Sequence, residues 1–166
     1  IYHRLWNVRT VVIFALVYLL SFTLEMAGVA DERLFGSYQY LGSLGIAIRN
    51  TPLMIGINWL MLIYGSHALV SLVFRNKLVR ILSASALMVF YDVFAEFIAP
   101  HMLLWSFGQP YPPFRNFAMW FLASLVFLSL FEIFRIETRH NAHARILFVA
   151  QIIFFAMLSF YTFAFN

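Results

Sequence analysis

The sequence predicts an all-α integral membrane protein, a bundle of about five transmembrane helices forming one membrane-embedded domain over residues 1–166. Three observations predict it. Of the 166 residues, 63% are hydrophobic and 11% charged, and the mean hydropathy is +0.85. A soluble domain is about half apolar and a quarter charged, and a small one leaves too much surface in water to hide such an excess. Next, five stretches reach or approach the roughly 20 apolar residues needed to cross about 30 Å of hydrocarbon. Finally, the basic residues segregate by side. Arg4, Arg9, Arg75, Lys77, Arg80, Arg135, Arg139 and Arg145 fall in alternate connections, against Arg33, Arg49 and Arg115 in the others.

The first span runs from about Leu5 to Leu24, with Val11 to Leu20 free of charge. Arg4 and Arg9 flank a full-length span, which argues against a cleaved signal peptide. The chain opens on Ile1, and a further span upstream is left open. Residues 25–52 contain Glu25, Asp31 and Glu32, then LFGSYQYLGSLGIAI. That second part is apolar, broken by glycine and too short to span, so an interfacial or re-entrant segment is expected near 34–49. The second span covers about Leu53 to Phe74 and the third about Leu78 to Ala99. In the connection Pro100 to Asn116, Pro110, Pro112 and Pro113 bar a regular helix. Trp105, Phe107 and Tyr111 there are expected at headgroup depth or over a cavity. The fourth span covers about Phe117 to Phe134 and the fifth about Ala144 to Phe163. The excess of basic residues puts the N-terminus in the cytoplasm and both long connections outside.

Several function classes drop out. Cysteine is absent, which removes disulfides, thiolate metal sites and cysteine nucleophiles. The net charge of +4 belongs to the inner connections and suggests no nucleic-acid partner. There is no glycine-rich phosphate loop. A single Asp92-x-x-x-Glu96 falls short of the paired aspartate clusters used for magnesium and diphosphate. His140 and His143 alone cannot supply the histidine boxes of a membrane di-iron enzyme, and no metal site is predicted.

What remains is a set of ionisable groups inside spans, where each costs about 2.5–3.5 kcal/mol on insertion scales and rarely faces lipid. Asp92 and Glu96 are four residues apart on the third span, on one helix face. Glu25 ends the first span at a similar level, and Asn58 and Trp59 join from the second. Trp59, Tyr91, Trp105 and Trp120 cluster at that level. Two acids in a low-dielectric pocket cannot both ionise easily, so at least one is expected to carry a proton. The plainer reading is an interhelical hydrogen-bonded pair, or a salt bridge to Arg49 or Arg115. His67 is expected to be a satisfied interhelical hydrogen-bonding group. Glu132 is expected to pair with Arg135 or Arg139.

The order of residues narrows this further. Glu25 and Gly28 lead into Gly36-Ser37-Tyr38-Gln39-Tyr40, then Thr51-Pro52-Leu53 and Asn58-Trp59. Asp92 and Glu96 follow, then Trp105-Ser106-Phe107, Pro113-Phe114-Arg115-Asn116-Phe117 and Trp120-Phe121. Over roughly the central hundred residues this series resembles the CruF-type carotenoid 1,2-hydratases, membrane proteins of carotenoid biosynthesis with bisanhydrobacterioruberin hydratase among their relatives. The resemblance implies addition of water across the terminal 1,2 (1',2') double bond of an acyclic carotenoid. It implies no cofactor, a bacterial or archaeal cytoplasmic membrane, and association with other membrane enzymes of the pathway. Protonating such an alkene gives a tertiary carbocation, which needs a neutral acid, a site that tolerates positive charge, and one water. On this reading Asp92 is the proton donor and Glu96 positions water or accepts its proton, with the two roles interchangeable. Glu25 is a third acid. Tyr38, Tyr40, Trp59, Tyr91, Trp105, Asn116 and Trp120 would line the end-group pocket. The alternatives are a lycopene-type cyclase or an elongase, which begin with similar chemistry, and a transporter or membrane scaffold. Transporters often carry internal repeats, and none is evident here.

Overall fold

The computed structural model describes residues 6–165. The expected start of the first span at Leu5, with Arg4 beside it, lies outside the described residues. Five long helices account for most of the chain: α1 (Val8–Ala30), α2 (Met54–Val73), α3 (Lys77–Ile98), α4 (Phe114–Ile133) and α5 (Ala142–Phe165). All five are long and apolar enough to cross a membrane. Four short strands fill the two connections between α1 and α2 and between α3 and α4. They are β1 (Tyr38–Tyr40), β2 (Ala47–Ile48), β3 (Thr51–Pro52) and β4 (Trp105–Phe107).

The helix starts follow from local chemistry. The first backbone N–H groups of a helix need outside acceptors, and asparagine supplies one. The Asn7 carboxamide accepts from the Thr10 N–H at 2.9 Å, and that of Asn76 from Val79 at 3.2 Å. Pro113 stands directly before α4, where its missing N–H interrupts no helical bond.

The central helix is α2, which packs against α1, α3, α4 and α5. Its partner α5 touches mainly α2 and α3, with Phe148 as its buried anchor. Phe148 sits over Gly65 of α2, where an added Cβ would lie 2.7 Å from the Phe148 Cβ. The outward sides of the helices are apolar. Leu19, Phe90, Val126 and Phe160 are all exposed and form the belt that a bilayer covers.

The two ends of the bundle differ in chemistry. At the end holding the α2–α3 turn, His67 meets Thr138 at 2.8 Å through Nδ1 and Glu132 at 2.9 Å through Nε2. Its interhelical bonding is thus satisfied, as expected. Arg80 forks onto Glu132 at 2.5 and 2.7 Å. The pairing of Glu132 with Arg135 or Arg139 therefore does not occur. Antiparallel packing of α3 on α4 brings Arg80, in the first turn of α3, to the last turn of α4. Arg135 instead lies past the end of α4 in a left-handed conformation (φ 52°) that turns the chain away. A cavity of about 450 Å³ opens beside this cluster, edged by Lys77, Arg135 and Arg139.

At the opposite end, the segment expected to be interfacial or re-entrant takes up strands and turns. The pair β2–β3 is a hairpin closed by Arg49 and Asn50, both with positive φ (49° and 62°). Two consecutive left-handed residues are what a two-residue hairpin turn requires. The pair β1–β4 joins the two long connections. Tyr38 stands opposite Phe107, Gln39 opposite Ser106, and Tyr40 opposite Trp105. The backbone bonds Leu41 to Leu104 (2.9 Å) and Gly108 to Ser37 (2.8 Å) extend the ladder at either end. These three-residue strands are too short for hydropathy to reveal them.

Candidate active site

Strand geometry sends alternate side chains to opposite faces. Tyr38 and Tyr40 therefore share one face of the β1–β4 ladder, and Phe107 and Trp105 stand opposite them on that face. Four aromatic rings make a roof over the carboxyl groups delivered by α1 and α3. The ring centroids are 5.7 Å apart for Tyr38–Tyr40, 5.6 Å for Tyr38–Phe107 and 6.3 Å for Tyr40–Trp105.

Glu25 of α1 is the most heavily bonded of the acids. It accepts from Tyr38 Oη at 2.7 Å, from Tyr40 Oη at 2.8 Å and from Trp59 Nε1 of α2 at 2.7 Å. One turn further along α1, Gly28 lets the loop close down. A Cβ there would lie 2.4 Å from Phe35 and 3.0 Å from the Tyr38 hydroxyl. On α3, Glu96 accepts from Trp105 Nε1 at 2.8 Å and from Asn116 Nδ2 at 2.9 Å. The same Asn116 nitrogen donates to Asp92 at 3.0 Å. A single amide at the start of α4 thus clamps both acids of α3, using the two protons it has to give. The second Asp92 oxygen, Oδ1, is buried with no hydrogen-bond partner among the described residues.

Burial is nearly complete: Glu25 is 4% exposed, Asp92 0% and Glu96 7%. Buried carboxyls are normally paired with cations. Among the described residues, the ion pairs are Arg33 with Asp31 and Glu132 with Arg80 and His67. None reaches Glu25, Asp92 or Glu96, so neither Arg49 nor Arg115 neutralises the α3 acids. Three carboxyls sharing one dry region without a cation cannot all be ionised together. The Tyr38 and Tyr40 phenols are held well above the usual tyrosine range, by burial first and by the neighbouring Glu25 carboxyl second. They remain hydrogen-bond donors.

These groups border a small chamber with room for about 20 Å³. That suffices for one water, which needs on the order of 10–15 Å³ of such space. Of the residues expected in the site, Glu25, Glu96, Tyr38, Tyr40, Trp105, Asn116 and Trp120 face the chamber. Three stand elsewhere. Asp92 meets the chamber only through Asn116. Trp59 lies behind it, bonded to Glu25 and stacked on Trp120 with centroids 4.2 Å apart. Tyr91 opens onto a separate, apolar cavity. The chamber also takes walls that were not among the expected pocket residues, Phe35, Ile55 and Phe107. Ile55 gives no signal in a sequence of apolar spans. The closeness of Gly28 to Phe35 appears only once the chain has folded. Among the described residues, no three His, Asp or Glu side chains come together in a metal-binding group.

Apolar helices that carry an unneutralised, aromatic-roofed set of buried carboxyls at one end define a polytopic membrane protein with an acidic chamber. The chain belongs to the carotenoid biosynthesis protein family, whose family model matches residues 1–165. Its role is therefore in carotenoid biosynthesis. Comparison with curated proteins and with solved structures gives no match.

Proposed function

We propose that this protein is a cofactor-independent hydratase that adds water across the terminal double bond of an acyclic carotenoid. The observation that carries the reading is the chamber itself. Glu25 and Glu96 face one small space with room for about one water, under rings that can stabilise a cation. A desolvated cation over an aromatic face gains about 2 kcal/mol. The substrate is a hydrocarbon that dissolves in the bilayer, and the acids are held inside helices that belong there. The ordered resemblance to the CruF-type hydratases points the same way.

In the proposed reaction, the Glu96 carboxylic acid gives its proton to the CH carbon of the terminal alkene. The π electrons form the new C–H bond, leaving a tertiary cation on the dimethyl carbon. Glu25 and the aromatic walls face that charge. The chamber water attacks the cation through an oxygen lone pair, and the resulting oxonium loses a proton to Glu25 or back to Glu96. The net change is alkene plus water to tertiary alcohol, with no oxidant or reductant. Asp92 stands behind Glu96 across Asn116 and keeps the pair from ionising together. Of the two interchangeable assignments read from sequence, facing the chamber favours Glu96 as the donor. With the N-terminus inside, the chamber lies toward the outer face of a bacterial or archaeal cytoplasmic membrane, beside other membrane enzymes of the pathway.

The test is expression in a lycopene-accumulating host, followed by mass spectrometry of the pigments. The expected product carries the added mass of one or two waters. Glu96→Gln, folded and inserted, should lower its yield by at least about a hundredfold, the scale of general acid catalysis. A product of unchanged mass would replace hydration by cyclisation, and unaltered pigment would remove the enzymatic reading. Glu96→Gln forming product at the wild-type rate would move the donor elsewhere.

A further inference from the structure

The chamber is too small for an isoprenoid end, yet it is not isolated. Two larger cavities abut it on different walls. One, of about 230 Å³, shares Tyr38 and Phe107 with the chamber and is otherwise lined by Ser37, Gln39, Ser106 and Gly108. It is a polar cavity along the β1–β4 ladder. The other, of about 200 Å³, shares Ile55 and Trp105 with the chamber and lies between α2, α3 and α5. Its lining is apolar, with Met54, Met61 and Met102 giving a surface that adapts to irregular shapes. Two amides interrupt it, Asn58 of α2 and Gln151 of α5. Neither has a hydrogen-bond partner among the described residues.

We propose that the apolar cavity seats the terminal segment of an acyclic polyene and that water arrives separately, from the polar cavity on the other wall. The identity of the occupant as a polyene rests on the hydratase reading. The two cavities have opposite lining chemistry and each shares two walls with the chamber that Glu25 and Glu96 face, so a hydrocarbon and a water have different approaches to one chamber. The wall facing the apolar cavity has two members of unequal freedom. Trp105 is fixed by its bond to Glu96 and by its place in β4 opposite Tyr40. Ile55, in the first turn of α2, is held by packing alone. Ile55 is therefore the wall across which the end group must approach Glu96, and its size decides how closely an end group can come.

The chain has no cysteine, so single thiols report each cavity without background. Met61→Cys places one in the apolar cavity and Ser106→Cys one in the polar cavity. The protein is reconstituted in nanodiscs, and the probe ligand is lycopene. Ser106→Cys should react with a charged maleimide at a rate lycopene does not change. Met61→Cys should react with a lipophilic maleimide alone, and lycopene at ten times its Kd should slow that reaction about tenfold. Folded and inserted Ile55→Trp should lower hydrated product about a hundredfold. Lycopene protecting neither thiol, or protecting Ser106→Cys, would overturn the proposal. So would Ile55→Trp working at the wild-type rate. Protection of Met61→Cys without any hydrated product would retain the polyene seat and sink the hydratase reading. Hydration without that protection would do the reverse.

Discussion

Removing Glu25 tests the architecture on which the site depends. In Glu25→Ala, three donors lose their acceptor. Tyr38 has an alternative, because its hydroxyl also lies 3.2 Å from the Glu25 carbonyl oxygen, which survives the substitution. Trp59 and Tyr40 have no second acceptor among their hydrogen bonds. A buried donor left without a partner costs about 1–3 kcal/mol. Two such donors give a loss of about 2–6 kcal/mol, toward the lower end if water enters the space vacated by the side chain. Glu25→Gln should behave differently. Its carbonyl oxygen can face Trp59, and its NH₂ can face the two hydroxyls, which rotate and accept. The expected loss is then under about 1.5 kcal/mol. Both variants can be unfolded in mixed micelles by increasing the fraction of denaturing detergent, followed by tryptophan fluorescence and circular dichroism. If Glu25→Ala lay within about 1 kcal/mol of wild type, or if Gln were as damaging as Ala, the three-donor clamp would be refuted.

Three further outcomes are expected. Gly28→Ala pushes a methyl to 2.4 Å from the Phe35 ring, and overpacking of this kind should lower stability by about 1–3 kcal/mol in the same unfolding assay. Arg80→Met strips Glu132 of its guanidinium and should cost about 3 kcal/mol, the low end for a broken buried pair because Arg80 is part-exposed; adding Glu132→Gln should recover much of it. Alkaline stability follows from the phenols. Tyr38 and Tyr40 hold their protons in the fold well above the usual tyrosine value of about 10, so their contribution is intact below that pH and is lost as pH climbs beyond it. Melting temperature should therefore fall above pH about 10, and less steeply in the Tyr38→Phe, Tyr40→Phe double variant.

The spans were legible because a membrane helix announces itself locally, in about 20 apolar residues that need no partner to be recognised. Asp92 and Glu96 were legible for a related reason: a carboxyl inside such a run is costly wherever the neighbours are. What joins those pieces is non-local. Nothing in Tyr38-Gln39-Tyr40 or Trp105-Ser106-Phe107 reveals that the two segments pair, since strands this short carry no periodicity. The pairing nonetheless decides that four aromatic rings roof the chamber. Glu132 shows the same limit from the other side. Sequence spacing offered Arg135 and Arg139, while helix packing supplied Arg80. The amide of Asn116 was placed among the pocket residues by resemblance, but its bridging of two acids depends on where α4 starts relative to α3.

The long reach of the β1–β4 ladder also imposes an order on biogenesis. A chain emerges from the ribosome with its N-terminal part first. Glu25 can find Tyr38, Tyr40 and Trp59 while the third helix is still being made, so the carboxyl that threatens insertion of the first helix is quieted early. Asp92 and Glu96 leave the ribosome before Asn116 does, and strand β1 waits unpaired until β4 arrives. Assembly is thus a two-act process, in which an incomplete nascent protein presents bare acids and an open strand edge until the proline-rich connection is threaded home.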